Sequence, residues 1–243
     1  MFRCMSEKST YRIACPKCGH EQSVELYDSI NIKDDPSLKE ALLKNQINNV
    51  SCGGCGFNFR VDKQLAYSDP VGRFIVFWYP ADEAACDRDE DRFLDAIAEI
   101  TRGLPEDVLA PSVHLVFTRT ELIERIFMRE AGLDERIIEY IKYTMYARNV
   151  KRLDPATKAL LFNAHDSNDT LLAFVVQDVK TRKFEAVLHY DRKGYDALKE
   201  TFSDEEKAFD LYEFFPGPHI SARQNLLREL RAEAGHETED GAE

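Results

Sequence analysis

The chain has 243 residues, with 32 Lys or Arg against 44 Asp or Glu and a formal charge of −12. Its 44 % apolar content suits a folded globular protein and is too high for a largely disordered one. No run of about 18 apolar residues exists, which excludes a membrane-spanning helix. The acidic excess argues against a general nucleic-acid binder, which gains affinity by placing Lys and Arg on phosphates.

Two compact units, or one with a small appended module, suit the length. The start, Met1 to Lys8, is too short and too polar for a secretory signal, and residues 1–12 read as a flexible leader. Residues 13–69 hold two C-x-x-C pairs with an amphipathic helix between them. Pro36 is placed to open that helix, and Leu38, Leu42, Leu43 and Ile47 share one face. Gly72 to Tyr79 reads as a buried strand stopped by Pro80. The charged stretch 82–92 reads as exposed, and Phe93, Leu94, Ile97 and Ile100 as a short helix closed near Gly103. Val113 to Phe117 is a second strand. Thr118 to Glu121 has the form of a capping box, in which side chain and backbone satisfy each other's free N–H groups. The helix it opens turns Leu122, Ile123, Ile126 and Phe127 inward and ends where Gly132 can adopt the left-handed conformation. Asp134 then caps a helix striped by Ile137, Ile138, Ile141 and Met145.

From about residue 153 the pattern changes to strands: Leu160 to Phe162, Leu171 to Val176, and Phe184 to Tyr190, with Thr181-Arg182-Lys183 as a polar hairpin turn. A helix near 194–201 and an apolar, strand-like run from Phe209 to Phe215 follow. Pro216-Gly217-Pro218 breaks that run, and Ala222 to Ala234 reads as a helix. An acidic, disordered tail, 235–243, closes the chain. The fold class expected from this order is α+β: a small zinc-knuckle or zinc-ribbon-like module over 13–69 with a helical insertion, joined to a larger α+β body over 70–234 with antiparallel strands.

The six cysteines carry the chemistry. Cys4 and Cys86 stand alone, and the others form Cys15-Pro16-Lys17-Cys18-Gly19-His20 and Cys52-Gly53-Gly54-Cys55-Gly56-Phe57. With no export signal, a reducing cytoplasm is the expected compartment, where disulfides do not persist and paired cysteines point to metal or redox work. Two residues between cysteines let a tight turn aim both sulfurs at one ion. A glycine after the second cysteine, Gly19 or Gly56, can take positive φ and lets backbone N–H groups face the thiolates. Four soft ligands at Cys15, Cys18, Cys52 and Cys55 favour one Zn²⁺. A closed four-sulfur shell leaves no position for water, so the ion would be structural. Ribbon pairs usually lie roughly 15–20 residues apart, whereas positions 19–51 hold 33 residues; the helical insertion accounts for the excess. A thiol–disulfide reading of Cys15 and Cys18, whose Cys-Pro-x-Cys form suits exchange chemistry, is the competing alternative. His20 could replace one sulfur as ligand.

These motifs resemble those of the CpXC family of bacterial and archaeal proteins. The resemblance rests on Cys15-Pro16-Lys17-Cys18, the helix opened by Pro36-Ser37-Leu38-Lys39, Asn48 and Asn49, Cys52-x-x-Cys55-Gly56, and Leu65 to Asp69. Further on, Glu121 to Ile126 and Gly132 to Glu139 are similar to segments of its longer members, and the likeness runs over roughly residues 13–150. Gly53 stands where that family usually has proline, a change that loosens the turn and removes no ligand. The resemblance implies the same four cysteine ligands. It implies no catalytic residues, because the family has no assigned function.

Elsewhere the sequence offers weaker candidates. Cys86 lacks a base or cation nearby apart from Arg88, which a nucleophile would need. His165-Asp166 and His189-Tyr190-Asp191 each set a carboxylate near an imidazole and could serve an enzyme in the body. The remaining histidines, His114, His219 and His236, are scattered, and none of the common hydrolase or nucleotide-binding motifs is present. Tyr140, Tyr143 and Tyr146 recur near one helical face and read as core whose hydroxyls reach water. The leading expectation is a protein-binding module shaped by zinc, with an unidentified protein partner, no membrane association and no nucleic-acid partner; an enzyme of unknown reaction or a thiol–disulfide protein are the alternatives.

Overall fold

The structure, a computed structural model, describes residues 6–81, 88, 90–95 and 112–239. Cys4, Cys86 and the expected helical positions Ile97, Ile100 and Gly103 lie outside the described residues, as does the end of the tail. The architecture is α+β, and the chain divides into two compact units, Met1–Ile123 and Glu124–Glu243.

In the first unit, β1 (Glu7–Ala14) and β2 (Glu21–Asn31) form an antiparallel hairpin. The chain then makes a crossover that carries α1 (Ser37–Leu43) and a small second hairpin, β3 (Asn49–Ser51) with β4 (Asn58–Arg60). It returns as β5 (Leu65–Asp69), parallel to β2, followed by β6 (Phe74–Trp78) and β7 (Ser112–Val116). The five-stranded sheet has the order β1-β2-β5-β6-β7. Alternation fixes its register: Leu65 and Tyr67 on β5, and Phe74, Val76 and Trp78 on β6, are buried. Pro36 sits at the N-cap of α1, and Leu38 and Leu42 face inward as expected. The helix stops at Leu43, and Ile47, expected on its face, is buried beyond its end.

Two expectations for this region need correction. Residues 7–12 are not a loose leader: Glu7 to Ala14 pairs residue by residue with β2, and Tyr11 donates a hydrogen bond to Asp28. Nor does the first unit end at residue 69. β6 and β7 complete the sheet begun by β1 and β2, so a break there would cut through a continuous ladder.

A single helix, α2 (Arg119–Glu130), spans the division between the units. Its capping box forms as the sequence requires: the Glu121 amide donates to Thr118 Oγ1 at 3.2 Å, and the Thr118 amide to Glu121 Oε2 at 3.0 Å. Gly132 takes φ +63° just after the helix, and the Leu133 amide reaches back to the Met128 carbonyl.

The second unit packs α3 (Glu135–Arg148) and α4 (Arg192–Thr201) with an antiparallel meander of β8 (Lys158–Asn163), β9 (Leu171–Asp178) and β10 (Phe184–Asp191), in the order β10-β9-β8. Ile138, Ile141, Leu172, Phe174 and Tyr195 form the centre of its core. Asp134 caps α3 by accepting from the amides of Arg136 and Ile137. Tyr146 is buried, its hydroxyl donating to the Lys158 carbonyl and accepting from the Leu160 amide, while Tyr140 and Tyr143 meet Phe202 and Phe214 edge-on. Residues 209–215 are not a strand: α5 (Glu205–Phe214), capped by Asp204, covers 209–214, and Phe215 is its C-cap. Leu211 and Phe215 are buried, and Phe209 and Tyr212 are exposed. The last helix, α6, runs from Ala222 to Glu239, so regular structure extends into the stretch expected to be a disordered tail.

Four charges lie inside this second core. Lys142 Nζ stands 2.6 Å from Glu124 and 2.8 Å from Glu139, and Arg125 is 3.2 Å from Glu139. Each of these side chains is 3–4 % exposed. Backbone groups complete the cluster: Arg125 donates to the Ile220 carbonyl, Phe162 N–H to Glu124, and Ala222 N–H to Glu139 at 2.9 Å. Burial opposes the charge on Glu139, but Lys142 and Arg125 outweigh it and hold that carboxyl below its ordinary pKa. Burial likewise opposes the charge on Lys142, and Glu124 and Glu139 reverse it.

Candidate metal centre

The two C-x-x-C turns are built alike. In the first, which joins β1 to β2, the Cys15 amide donates to the His20 carbonyl and the Gly19 amide to the Cys15 carbonyl, both at 2.9 Å. In the second, which joins β3 to β4, the Cys52 amide donates to the Phe57 carbonyl and the Gly56 amide to the Cys52 carbonyl, again at 2.9 Å. Gly19 and Gly56 occupy φ +73° and +68°, the left-handed region where a side chain is penalised.

This shared geometry aims four sulfurs at one point. The Sγ atoms of Cys15, Cys18, Cys52 and Cys55 all lie within 4.8 Å of one another. Cys15 and Cys55 are 3.8 Å apart, and Cys18 and Cys52 3.6 Å. Four sulfurs bound at about 2.3 Å around a tetrahedral ion would be about 3.8 Å apart, so the recorded separations fit such a shell without rearrangement. Cys15 and Cys52 are buried; Cys18 and Cys55 are exposed. The donor set is all sulfur, and it could hold a metal ion.

Electrostatics point the same way. Burial disfavours a thiolate at Cys52, yet the backbone N–H groups of Cys55 and Gly54 and the thiols of Cys15 and Cys18 outweigh it, lowering its pKa to about 6. At Cys55 the Phe57 amide favours the thiolate, but crowding by Cys18, burial, and the neighbouring Cys52 and Cys15 push the thiol up to about 12. Four clustered sulfurs repel as anions, and only a cation lets all of them ionise together.

Two side chains of the first hairpin join the turns, and neither was singled out from the sequence for that task. Gln22 donates to the Ser51 carbonyl at 3.0 Å and accepts from the Gly53 amide at 2.8 Å. A proline at position 53 would have no N–H for that bond, so glycine there serves the clamp as well as the turn. His20 is no ligand: its exposed ring lies against Gly54, where an added Cβ would come within 2.9 Å of it. Further from the sulfurs, Asn48 at φ +57° bridges to β2 through both its amide atoms, accepting from the Tyr27 amide at 2.7 Å and donating to the Tyr27 carbonyl at 3.1 Å. A single sequence carries no mark for Gln22. Asn48 was legible only as a motif residue, not as a bridge.

Residues 13–142, more than half the chain, match the family described as CpXC protein. The chain belongs to the CpXC family. The matched span of this CpXC chain takes in both cysteine turns, the sheet from β2 to β7 with the end of β1, α2 and more than half of α3. No curated protein and no solved structure matches the chain.

The other candidates do not assemble. His165 and His189 are exposed, and among the described residues no carboxylate bonds either ring. Asp166 accepts instead from Asn163, and Asp191 caps α4. His114 and His219 are buried in different units. The thiol–disulfide reading also lacks its setting, since Cys18 leads straight into β2 and opens no helix. Among the described residues, no helix is long and apolar enough to cross a membrane.

Proposed function

We propose that Cys15, Cys18, Cys52 and Cys55 hold one structural Zn²⁺, and that the protein acts by binding another protein through a surface which this module keeps in shape. The observation that carries the first half is the meeting of four sulfurs from two identically closed turns at tetrahedral spacing. An all-thiolate tetrahedron selects zinc over harder divalent ions, and a filled shell leaves no position for a reacting water. The ion, when bound, would supply cohesion between the two turns, in which Cys15 and Cys52 are the buried side chains. A reducing compartment such as the cytoplasm would keep the thiols available.

The second half rests on what surrounds the sulfurs. Phe57 is exposed beside Cys55, stacked on Phe59 at 6.2 Å, with the Lys17 ammonium 5.6 Å from its ring. Aromatic side chains held rigidly at a surface are enriched in protein interfaces. The enzyme alternative has no comparable support, because neither exposed histidine is oriented by a carboxylate.

Metal analysis of the natively purified chain tests the first half. One tightly held zinc per chain is expected, lost together with protection of residues 13–69 in Cys52→Ser. A metal-free chain with a reversibly oxidised Cys15–Cys18 pair would overturn it. Affinity capture from the native cell with mass spectrometry tests the second half: the expected partner is retained by the parent chain and lost with Phe57→Ala, and equal capture by both, or none by either, counts against it.

A further inference from the structure

We infer that the four thiols are also a peroxide-sensitive site, and that oxidation joins them across the two turns, as Cys18–Cys52 and Cys15–Cys55, rather than within each C-x-x-C pair. The metal-loaded starting state rests on the function proposed above; the sulfur pairing rests on geometry alone.

All four sulfurs lie within 4.8 Å of one another, and the contacts of Cys18 with Cys52 at 3.6 Å and of Cys15 with Cys55 at 3.8 Å each join one turn to the other. Forming a disulfide closes such a pair to about 2.0 Å, a movement smaller than the sulfur–sulfur gap itself. Each pair also contains one exposed and one buried cysteine: Cys18 with Cys52, and Cys55 with Cys15. This asymmetry sets the order of events. A peroxide reaches the exposed sulfur first, its O–O bond breaks, and the thiol becomes a sulfenic acid with release of one water. The buried partner then attacks that sulfur, the S–O bond breaks, and a second water leaves. Counted from the metal-bound thiolates, each pair loses two electrons and takes two protons from solvent, and one peroxide becomes two waters. Two peroxides complete both bonds and leave no thiolate to hold an ion, which departs as the free dication.

The pairing determines what happens to the fold. Within-turn disulfides would close loops of a few residues and leave the β1–β2 and β3–β4 hairpins unlinked. Cross-turn disulfides span sequence separations of 34 and 40 residues and join the same two stretches that an ion would join. Cross-links that close long loops restrict the unfolded chain most. The module therefore exchanges one staple for another and stays folded while it releases its metal.

The test uses the full chain carrying Cys4→Ser and Cys86→Ser. Metal content is measured first, hydrogen peroxide is added, released zinc is titrated with a chromogenic chelator, and non-reduced tryptic peptides are mapped. Trypsin cuts after Lys17, so Cys15 and Cys18 fall on separate peptides, while Cys52 and Cys55 share one. The expected products link both first-turn peptides to the Cys52–Cys55 peptide, at least tenfold over a Cys15–Cys18 link, with one zinc released per chain. On the same background, Cys15→Ser with Cys55→Ser, which keeps Cys18 and Cys52, should oxidise faster than Cys15→Ser with Cys52→Ser, which keeps the two exposed sulfurs. The oxidised, metal-free chain should retain hydrogen-exchange protection over 13–69 that the reduced, chelated chain loses. A dominant Cys15–Cys18 link, or an oxidised module as unprotected as the chelated one, overturns the inference. A chain purified without metal would overturn the structural-zinc reading instead, and its peroxide products would still decide the pairing.

Discussion

Each unit holds a knot of converging side chains, and the two knots are made differently. In the first unit the knot is four sulfurs at the rim, two buried and two exposed, supplied by turns whose backbones are nearly superimposable in their hydrogen bonding. In the second it is four charges in the core, with opposite signs balanced and spare oxygens and hydrogens taken up by backbone groups at Phe162, Ile220 and Ala222. The difference teaches where each unit gets its cohesion. The cysteine turns bring little apolar surface, and what they bring instead is four sulfurs that could hold a metal ion. The second core is already packed with Ile138, Ile141 and Phe174, and its ion cluster fixes which elements meet rather than supplying the net attraction.

The largest expected effect is on the sulfur knot. Removing the metal with a chelator, or replacing Cys52 with Ser, should remove a contribution on the order of 10 kcal/mol. Hydrogen exchange should report it as loss of protection over residues 13–69 with the second unit still protected. Loss of both units together would break the comparison. Next in size is Lys142→Met, which takes the ammonium from Glu124 and leaves Glu139 with Arg125 as its remaining ion pair. It should destabilise the second unit by about 3–5 kcal/mol in denaturant unfolding, and Glu124 should then take up a proton well above the ordinary carboxylate range. An unchanged midpoint would show that the cluster is not dry.

Smaller changes sharpen the account of the turns. Gly56→Ala meets no atom within 4 Å, so its cost is the left-handed backbone alone, about 1–2 kcal/mol of module stability. Gln22→Ala should cost about 1 kcal/mol, and Gly53→Pro a similar amount through the same lost bond. Adding Gly53→Pro to Gln22→Ala should therefore cost less than the two single effects combined, which a double-mutant cycle would read.

The smallest effect is a pH dependence at Asp28. Burial opposes its charge, but hydrogen bonds from Lys63, Ser9 and Tyr11 outweigh it and bring the carboxyl down to about 2. A depressed carboxylate stabilises the fold above its unfolded pKa of about 3.9, and that stability is lost as pH falls toward 2. Because the group is partly solvated, about 1 kcal/mol or less is at stake. The acid limb of the stability curve between pH 4 and 2 should flatten in Asp28→Asn.

Much of this was legible in the chain itself. The cysteine spacing and the trailing glycines foretold a sulfur cluster and two left-handed turns, and the Thr118–Glu121 and Asp134 caps foretold where α2 and α3 begin. Such signals are local, with donor and acceptor lying within a few residues. What the sequence hid was set by distant partners. Residues 7–12 read as loose because an edge strand needs no apolar face; its order comes from pairing with β2. The run from Phe209 to Phe215 read as a strand because its aromatics crowd together, while the deciding signal, Asp204 ahead of two acidic residues, is a helix start that the aromatic pattern masked. Glu124, Arg125, Glu139 and Lys142 sit among apolar helix positions where charge is ordinarily turned outward. Their burial could be suspected from that mismatch, but their partners could not be known before α2 and α3 were brought together.

One feature of the first sheet reaches beyond stability into kinetics. β2 and β5 run parallel, so they can pair only after the chain has looped from Asn31 round to Leu65, and the second cysteine turn lies inside that loop. Gathering the thiols early ties β2's hairpin to the middle of the excursion and leaves a much shorter search for β5. Refolding of the first unit should therefore quicken as free zinc rises, until capture of the ion no longer limits the rate.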